Sequence, residues 1–140
     1  MSADLKKPHV KPRFQVPAGA CDCHMHVFGP RGRYPYSRTR TYTPRPASLA
    51  DYQKMAATIG LQRVVFVQPC AYGADNRCMI DAIRKVGENA RGVIGMDDSV
   101  GAEELLDMSR LGVCGVRINA ARKVNEISHM LQVAALRASS

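Results

Sequence analysis

Ala20-Cys21-Asp22-Cys23-His24-Met25-His26-Val27-Phe28 is the stretch on which the reading of this chain turns. Successive side chains of a strand point to opposite sides, so a strand over 20–28 places Asp22, His24 and His26 on one face. Cys21, Cys23, Met25 and Val27 fall on the other. Two imidazoles at i and i+2 are then aimed to the same side, about 7 Å apart along the backbone. One metal ion or one substrate bridges that spacing. A bare His-x-His is of moderate specificity, because two histidines near a strand end are as readily plain surface residues. Its weight here comes from the elements that surround it.

Further along the chain, Ser48 and Asp51 form a capping-box pattern, and Leu49, Tyr52, Met55, Ala56 and Ile59 recur at helical spacing until Gly60. That spacing predicts a helix. Val64-Val65-Phe66-Val67 is continuously apolar and rich in β-formers, as in a parallel strand covered on both faces. Asp75 or Asn76 then caps a helix with the stripe Met79, Ile80, Ile83 and Val86, closing at Gly87. A third strand is expected over 93–96, a third helix over 103–111 stopped by Gly112, and a fourth strand over 113–118. A fourth helix over 125–138 carries Ile127, Met130, Leu131 and Ala134. Strands alternating with helices imply a parallel α/β sheet. Four βα units make either a small open sheet or half of an eightfold barrel, and periodicity does not separate the two.

Composition sets the outer limits. The chain has 140 residues, 46% of them hydrophobic, enough for one core but short of a barrel of ~250 residues. Residues 1–17, with Pro8, Pro12 and Pro17 among charges, suit an extended basic arm, and 18–140 form the domain. No apolar signal core precedes Val16, and no run of ~18 apolar residues occurs. A soluble, cytoplasmic protein without a membrane partner is the expectation. Five cysteines, an odd number with Cys21 and Cys23 poorly placed to bridge each other, suit reduced thiols. The net charge of +8, from 20 Lys and Arg against 12 Asp and Glu, admits nucleic acid, anionic lipid or acidic small molecules. The basic residues cluster in the arm and in 31–45, a long connection holding Tyr34, Tyr36 and Tyr42. It is too aromatic and basic for an idle linker.

Chemistry in such folds gathers at the carboxyl ends of the strands. Arg117 sits there on the fourth strand, where a guanidinium clamps a carboxylate bidentately, although an isolated arginine at a strand end more often meets only solvent. Arg122 or Lys123 in the next loop adds a second cation. Cys70 and Tyr72 follow the second strand. No base marks Cys70 as a nucleophile, and a small buried thiol is the plainer reading. His129 falls on the polar side of its helix and His9 in the arm, so both are poor ligands.

With these residues placed, the chain resembles the amidohydrolase superfamily, in particular its amidohydrolase-related (family 2) branch containing the 2-pyrone-4,6-dicarboxylate lactonases. The matching segments are Gly19 to Pro30, Tyr42-Thr43-Pro44, Val67-Gln68-Pro69 through Tyr72 to Asn76, and Gly115 to Asn119. The resemblance implies the N-terminal half of a TIM-type (β/α)₈ barrel. It implies that His24 and His26 are the catalytic first-strand pair, which in most members binds a divalent metal and in the dicarboxylate lactonase polarises the lactone carbonyl without one. Tyr42, Cys70, Arg117, Arg122 and Lys123 then correspond to substrate-binding positions. Cys70 stands where the family has serine, and Lys123 where it has a second arginine. No cofactor is demanded by the residues themselves; the resemblance admits one divalent ion such as zinc on His24 and His26.

The function so implied is a hydrolase acting on a carboxylated lactone or related cyclic ester, with an anionic small molecule as its partner. It is incomplete as a chain of 140 residues, because the superfamily's later histidines and its strand-eight aspartate fall beyond Ser140. A non-catalytic half-barrel that forms a homodimer or complements a C-terminal half is the alternative. A basic nucleic-acid-binding module ranks last, since no nucleic-acid motif accompanies the charge.

Overall fold

The computed structural model describes residues 10–97 and 100–117. The predicted fourth helix, Arg122, Lys123, His129 and His9 lie outside them. Within them the chain forms β1 (Cys21–Met25), α1 (Leu49–Ile59), β2 (Arg63–Val67), α2 (Arg77–Val86), β3 (Ala90–Gly95), α3 (Ala102–Arg110) and β4 (Val113–Arg117). All neighbouring strands pair in parallel, in the order β1-β2-β3-β4. Each βα unit therefore adds its strand to the same growing edge. A doubly wound sheet reverses order about a switch point, and nothing of the kind occurs among the described residues.

One face of the sheet carries the core. Val64 and Phe66 of β2 and Ala90 and Ile94 of β3 are buried together with Tyr52 and Ala56 of α1 and Met79, Ile80 and Ile83 of α2. Burying each of the large members contributes about 1.5–3 kcal/mol. The helix starts follow local chemistry. Ser48 and Asp51 form the reciprocal capping box, and Gly60 closes α1 with φ +96, where a Cβ would be strained.

Two boundaries differ from expectation. β3 begins at Ala90 rather than Val93, because small residues are needed there. A Cβ on Gly92 would stand 2.6 Å from Ile83 Cδ1 and 3.2 Å from Val113 Cγ2, so the apolar stripe of α2 lies directly on the strand. Apolar-run reading passes over such a segment. At the head of α2, Asn76 holds the N-cap position without capping. Of the two expected caps it is Asp75 that acts, its Oδ1 accepting the Arg77 N–H at 3.2 Å.

The second difference is in β1, whose ladder ends at Met25. Asp22 pairs with Val64 and Met25 with Phe66, so three steps along β1 match two along β2. This one-residue bulge turns Asp22 towards the helix side, since its partner Val64 faces the core. The expected single face of Asp22, His24 and His26 is thereby corrected. The cause is local: Asp22 Oδ1 accepts the N–H of His24 at 3.1 Å. The carboxylate also hydrogen-bonds Tyr52 of α1, whose phenol burial and the Asp22 charge push up to about 12.

Candidate active site

The bulge separates the two histidines from Asp22 and leaves them at the carboxyl end of β1. Their rings lie edge to face, centroids 5.0 Å apart, closer than an unbroken strand places residues i and i+2. His24 is exposed and His26 half-buried. His26 Nδ1 lies 2.7 Å from the carbonyl oxygen of Val67, the last residue of β2. A carbonyl only accepts, so Nδ1 carries the proton and Nε2 of the neutral ring keeps its lone pair. Burial pushes the His26 imidazole below its ordinary value; the Val67 bond opposes that, and the charges of His24 and Arg117 add to it.

Arg117 closes the far side. It ends β4, on the same side of the sheet as Gly95, and its Nη1 donates to the Gln68 carbonyl at 3.0 Å. That bond uses one of five N–H donors. Gln68 is itself buried, and its amide nitrogen donates to the carbonyls of Gly73 at 3.2 Å and Asp75 at 2.8 Å. Asn76 does the matching work on β3: Oδ1 accepts from Gly95 N at 2.9 Å, and Nδ2 donates to Gly95 O at 2.7 Å. The β2–α2 loop is thus held from below by two side-chain amides, and Arg117 leans on the result. Neither role is legible from sequence, although Gln68 lies within the Val67-Gln68-Pro69 segment.

Tyr42 and Cys70 complete the group. Burial and the neighbouring Cys70 raise the Tyr42 phenol, while Arg117 and a bond from the Ala71 backbone lower it. The loop therefore brings Tyr42 into the field of Arg117. His24, His26, Tyr42, Cys70 and Arg117, drawn from four separate places in the sequence, share one end of the sheet. Cys70 is half-buried, and all five cysteines are free thiols. A cleft of about 830 Å3 lies between α2 and α3, but it contains none of these five residues.

A cation fits this site in part. The pair offers two imidazole donors, one with its other nitrogen tied to a backbone carbonyl, as metal-ligating histidines require. Among the described residues no cluster of three or more His, Cys, Asp or Glu surrounds them. No helix of the described residues is long and apolar enough to cross a membrane.

Comparison with known proteins points in the same direction. The amidohydrolase family profile matches residues 21–135. A 2-pyrone-4,6-dicarboxylate hydrolase of Comamonas testosteroni is 43% identical over 114 residues, covering 81% of this chain and 37% of that protein. A 4-sulfomuconolactone hydrolase of Hydrogenophaga intermedia is 38% identical over 110 residues, covering 78% and 36%. A crystal structure from Agrobacterium tumefaciens superposes with a TM-score of 0.71 at 23% identity, covering 89% of this chain and 46% of that one. The last likeness concerns the fold alone. The chain spans little more than a third of the length of the curated relatives it matches.

Proposed function

The chain belongs to the amidohydrolase family, and on that premise we propose that it is the N-terminal part of a hydrolase that opens an anionic, carboxylated lactone or related cyclic ester. The observation that carries the reading is the hydrogen bond from His26 Nδ1 to Val67. It holds an unprotonated Nε2 beside His24, with the Arg117 guanidinium near enough to lower the His26 pKa.

In this reading Arg117 binds a substrate carboxylate with the donors that Gln68 leaves free. Tyr42 and Cys70 line the same wall, with Arg122 and Lys123 as further anion contacts. His24 and His26 face the ester carbonyl. A divalent ion such as zinc, held by the Nε2 lone pair of His26 and by His24, would supply activation of water when bound. Among the described residues no group of three or more His, Cys, Asp or Glu forms around the histidine pair. The names of the relatives, a dicarboxylate hydrolase and a sulfonated lactone hydrolase, support an anionic ring ester as the substrate class.

The test is hydrolysis of 2-pyrone-4,6-dicarboxylate and of sugar lactones by the purified chain, alone and mixed with the remaining two-thirds of a relative. Turnover that disappears in His24→Ala is expected. Turnover in that variant equal to the parent overturns the reading.

A second reading is favoured by one observation: β1 and β4 each pair on one side only among the described residues. Unpaired strand edges recruit other strands, so the chain would be a half-barrel completed by a second polypeptide. Light scattering on the purified protein, showing a stable monomer with protected strand amides, would exclude obligatory pairing.

A further inference from the structure

The loop of residues 29–47 reaches the site with Tyr42, and one of its anchors is on α2. Asp81 of α2 accepts the Tyr34 hydroxyl at 2.7 Å and Arg33 Nη2 at 2.6 Å on one carboxylate oxygen. The other oxygen takes Arg84 Nη1 at 3.3 Å. Arg33 is mostly exposed and adds little by itself. The Tyr34 bond is different: the ring is buried, and a buried phenol without its acceptor loses a full hydrogen bond.

The backbone has been fitted to that ring. A Cβ on Gly29 would stand 2.4 Å from Tyr34 Cδ2, so only glycine lets the ring lie against the start of the loop. From Tyr34 a relay of contacts runs to the site. Tyr36 packs on Tyr72 with centroids 5.1 Å apart, and Ser37 N donates to Ala71 O at 2.8 Å. The Ser37 carbonyl accepts Arg40 Nη1 at 3.0 Å, and Arg40 Nε donates to Thr43 Oγ1 at 3.0 Å. Arg40 and Thr43 bracket Tyr42. Residues 38–43 are all exposed, and the far end of the loop is tied back where Phe28 N donates to Ala47 O at 2.8 Å.

We propose that Asp81 is a positioning residue: by clamping Tyr34 and Arg33 it holds the 29–47 loop so that Tyr42 stands beside Arg117 at the site. The role in ligand binding rests on the reading of the site given above; the clamp itself does not. Breaking the clamp frees the first half of the loop from α2 and leaves the relay to Tyr42 without its outer support.

Two measurements on the same proteins test this. Trypsin reads the loop directly, because Arg38 and Arg40 are exposed within it, while Arg63 and Arg91 lie in strands. Titration calorimetry with 2-pyrone-4,6-dicarboxylate reads the site. In Asp81→Ala, cleavage after Arg38 and Arg40 is expected to quicken about tenfold, as loss of a charge-assisted bond allows. Cleavage at the strand arginines stays unchanged, and dicarboxylate binding weakens by a similar factor. Asp81→Glu restores most of both, and Tyr34→Phe, which keeps the ring, reproduces part of the loss. Loop cleavage at the parent rate in Asp81→Ala and Tyr34→Phe overturns the clamp. A faster loop with parental affinity overturns the positioning role. A parent protein that binds no dicarboxylate, with a loop that still opens in Asp81→Ala, overturns the reading of the site and the role in binding together, while upholding the clamp.

Discussion

The end of β1 and the 29–47 loop deliver groups to the same place by opposite means. At β1 the backbone does the positioning: a one-residue bulge turns Asp22 away, and a strand carbonyl selects the tautomer of His26. In the loop, side chains do much of it, beside backbone bonds from Ser37 to Ala71 and from Phe28 to Ala47: Asp81 holds Tyr34, Tyr72 packs on Tyr36, and Arg40 ties Ser37 to Thr43. A group set by a sheet ladder moves only if the sheet moves. One held by separate side-chain bonds is adjustable one bond at a time. On the proposed reading the histidines suit a step that demands fixed geometry, and the loop suits an adjustable contact with the substrate.

The largest effect should come from the rigid region. His26→Phe keeps the ring's bulk but removes Nε2 and the Nδ1 bond to Val67, so activity in the completed enzyme should fall by about 10²–10⁴ and stability by about 1–3 kcal/mol. Activity within a few-fold of the parent would place the chemistry elsewhere.

Gly29→Ala tests the loop from its backbone side. The new methyl must displace the Tyr34 ring, so stability should drop by about 1–3 kcal/mol in denaturant titration. An unchanged midpoint would mean that the ring yields freely and the clamp is slack.

Asn76→Ala strips Gly95 of both its side-chain partners. Leaving buried backbone groups unpaired should cost about 1–3 kcal/mol, with Arg117-dependent ligand binding weakened as the β2–α2 loop relaxes. A loss confined to binding, with no change in stability, would contradict the bracing role.

The smallest effect concerns pH. His26 is held below its ordinary value of 6.5, chiefly by burial, so the folded state resists a proton that the unfolded chain accepts. Stability from this group is complete above 6.5 and declines as pH falls through that value towards the lower folded pKa. The neutral ring also persists to lower pH, so the acid limb of turnover due to His26 should lie below 6.5. An acid limb above 6.5 that is absent from His26→Phe would contradict the burial.

Much of this architecture is legible in the chain. The capping box of Ser48 and Asp51, the stripe of α2 and the apolar run of β2 are short-range patterns, and they forecast the parallel α/β order. The His-x-His spacing and the collinear segments around it point to the family and to a partial barrel. The start of β3 and the role of Asn76 share a cause. β3 starts ahead of its apolar run because Ala90 and Gly92 are small for the sake of α2, a neighbour that local reading does not see. Asn76 resembles a cap because its helix neighbours are adjacent in sequence while Gly95 is nineteen residues away.

What the sequence determined by itself is therefore the order of the elements, the family and the residue types available at the strand ends. Tertiary structure alone decided which nitrogen of His26 is free, and that Arg117 rests on Gln68 and the loop on Asp81. The physical reason is range. Periodicity and capping are set within about one or two helical turns, whereas these bonds join residues 41 to 49 positions apart.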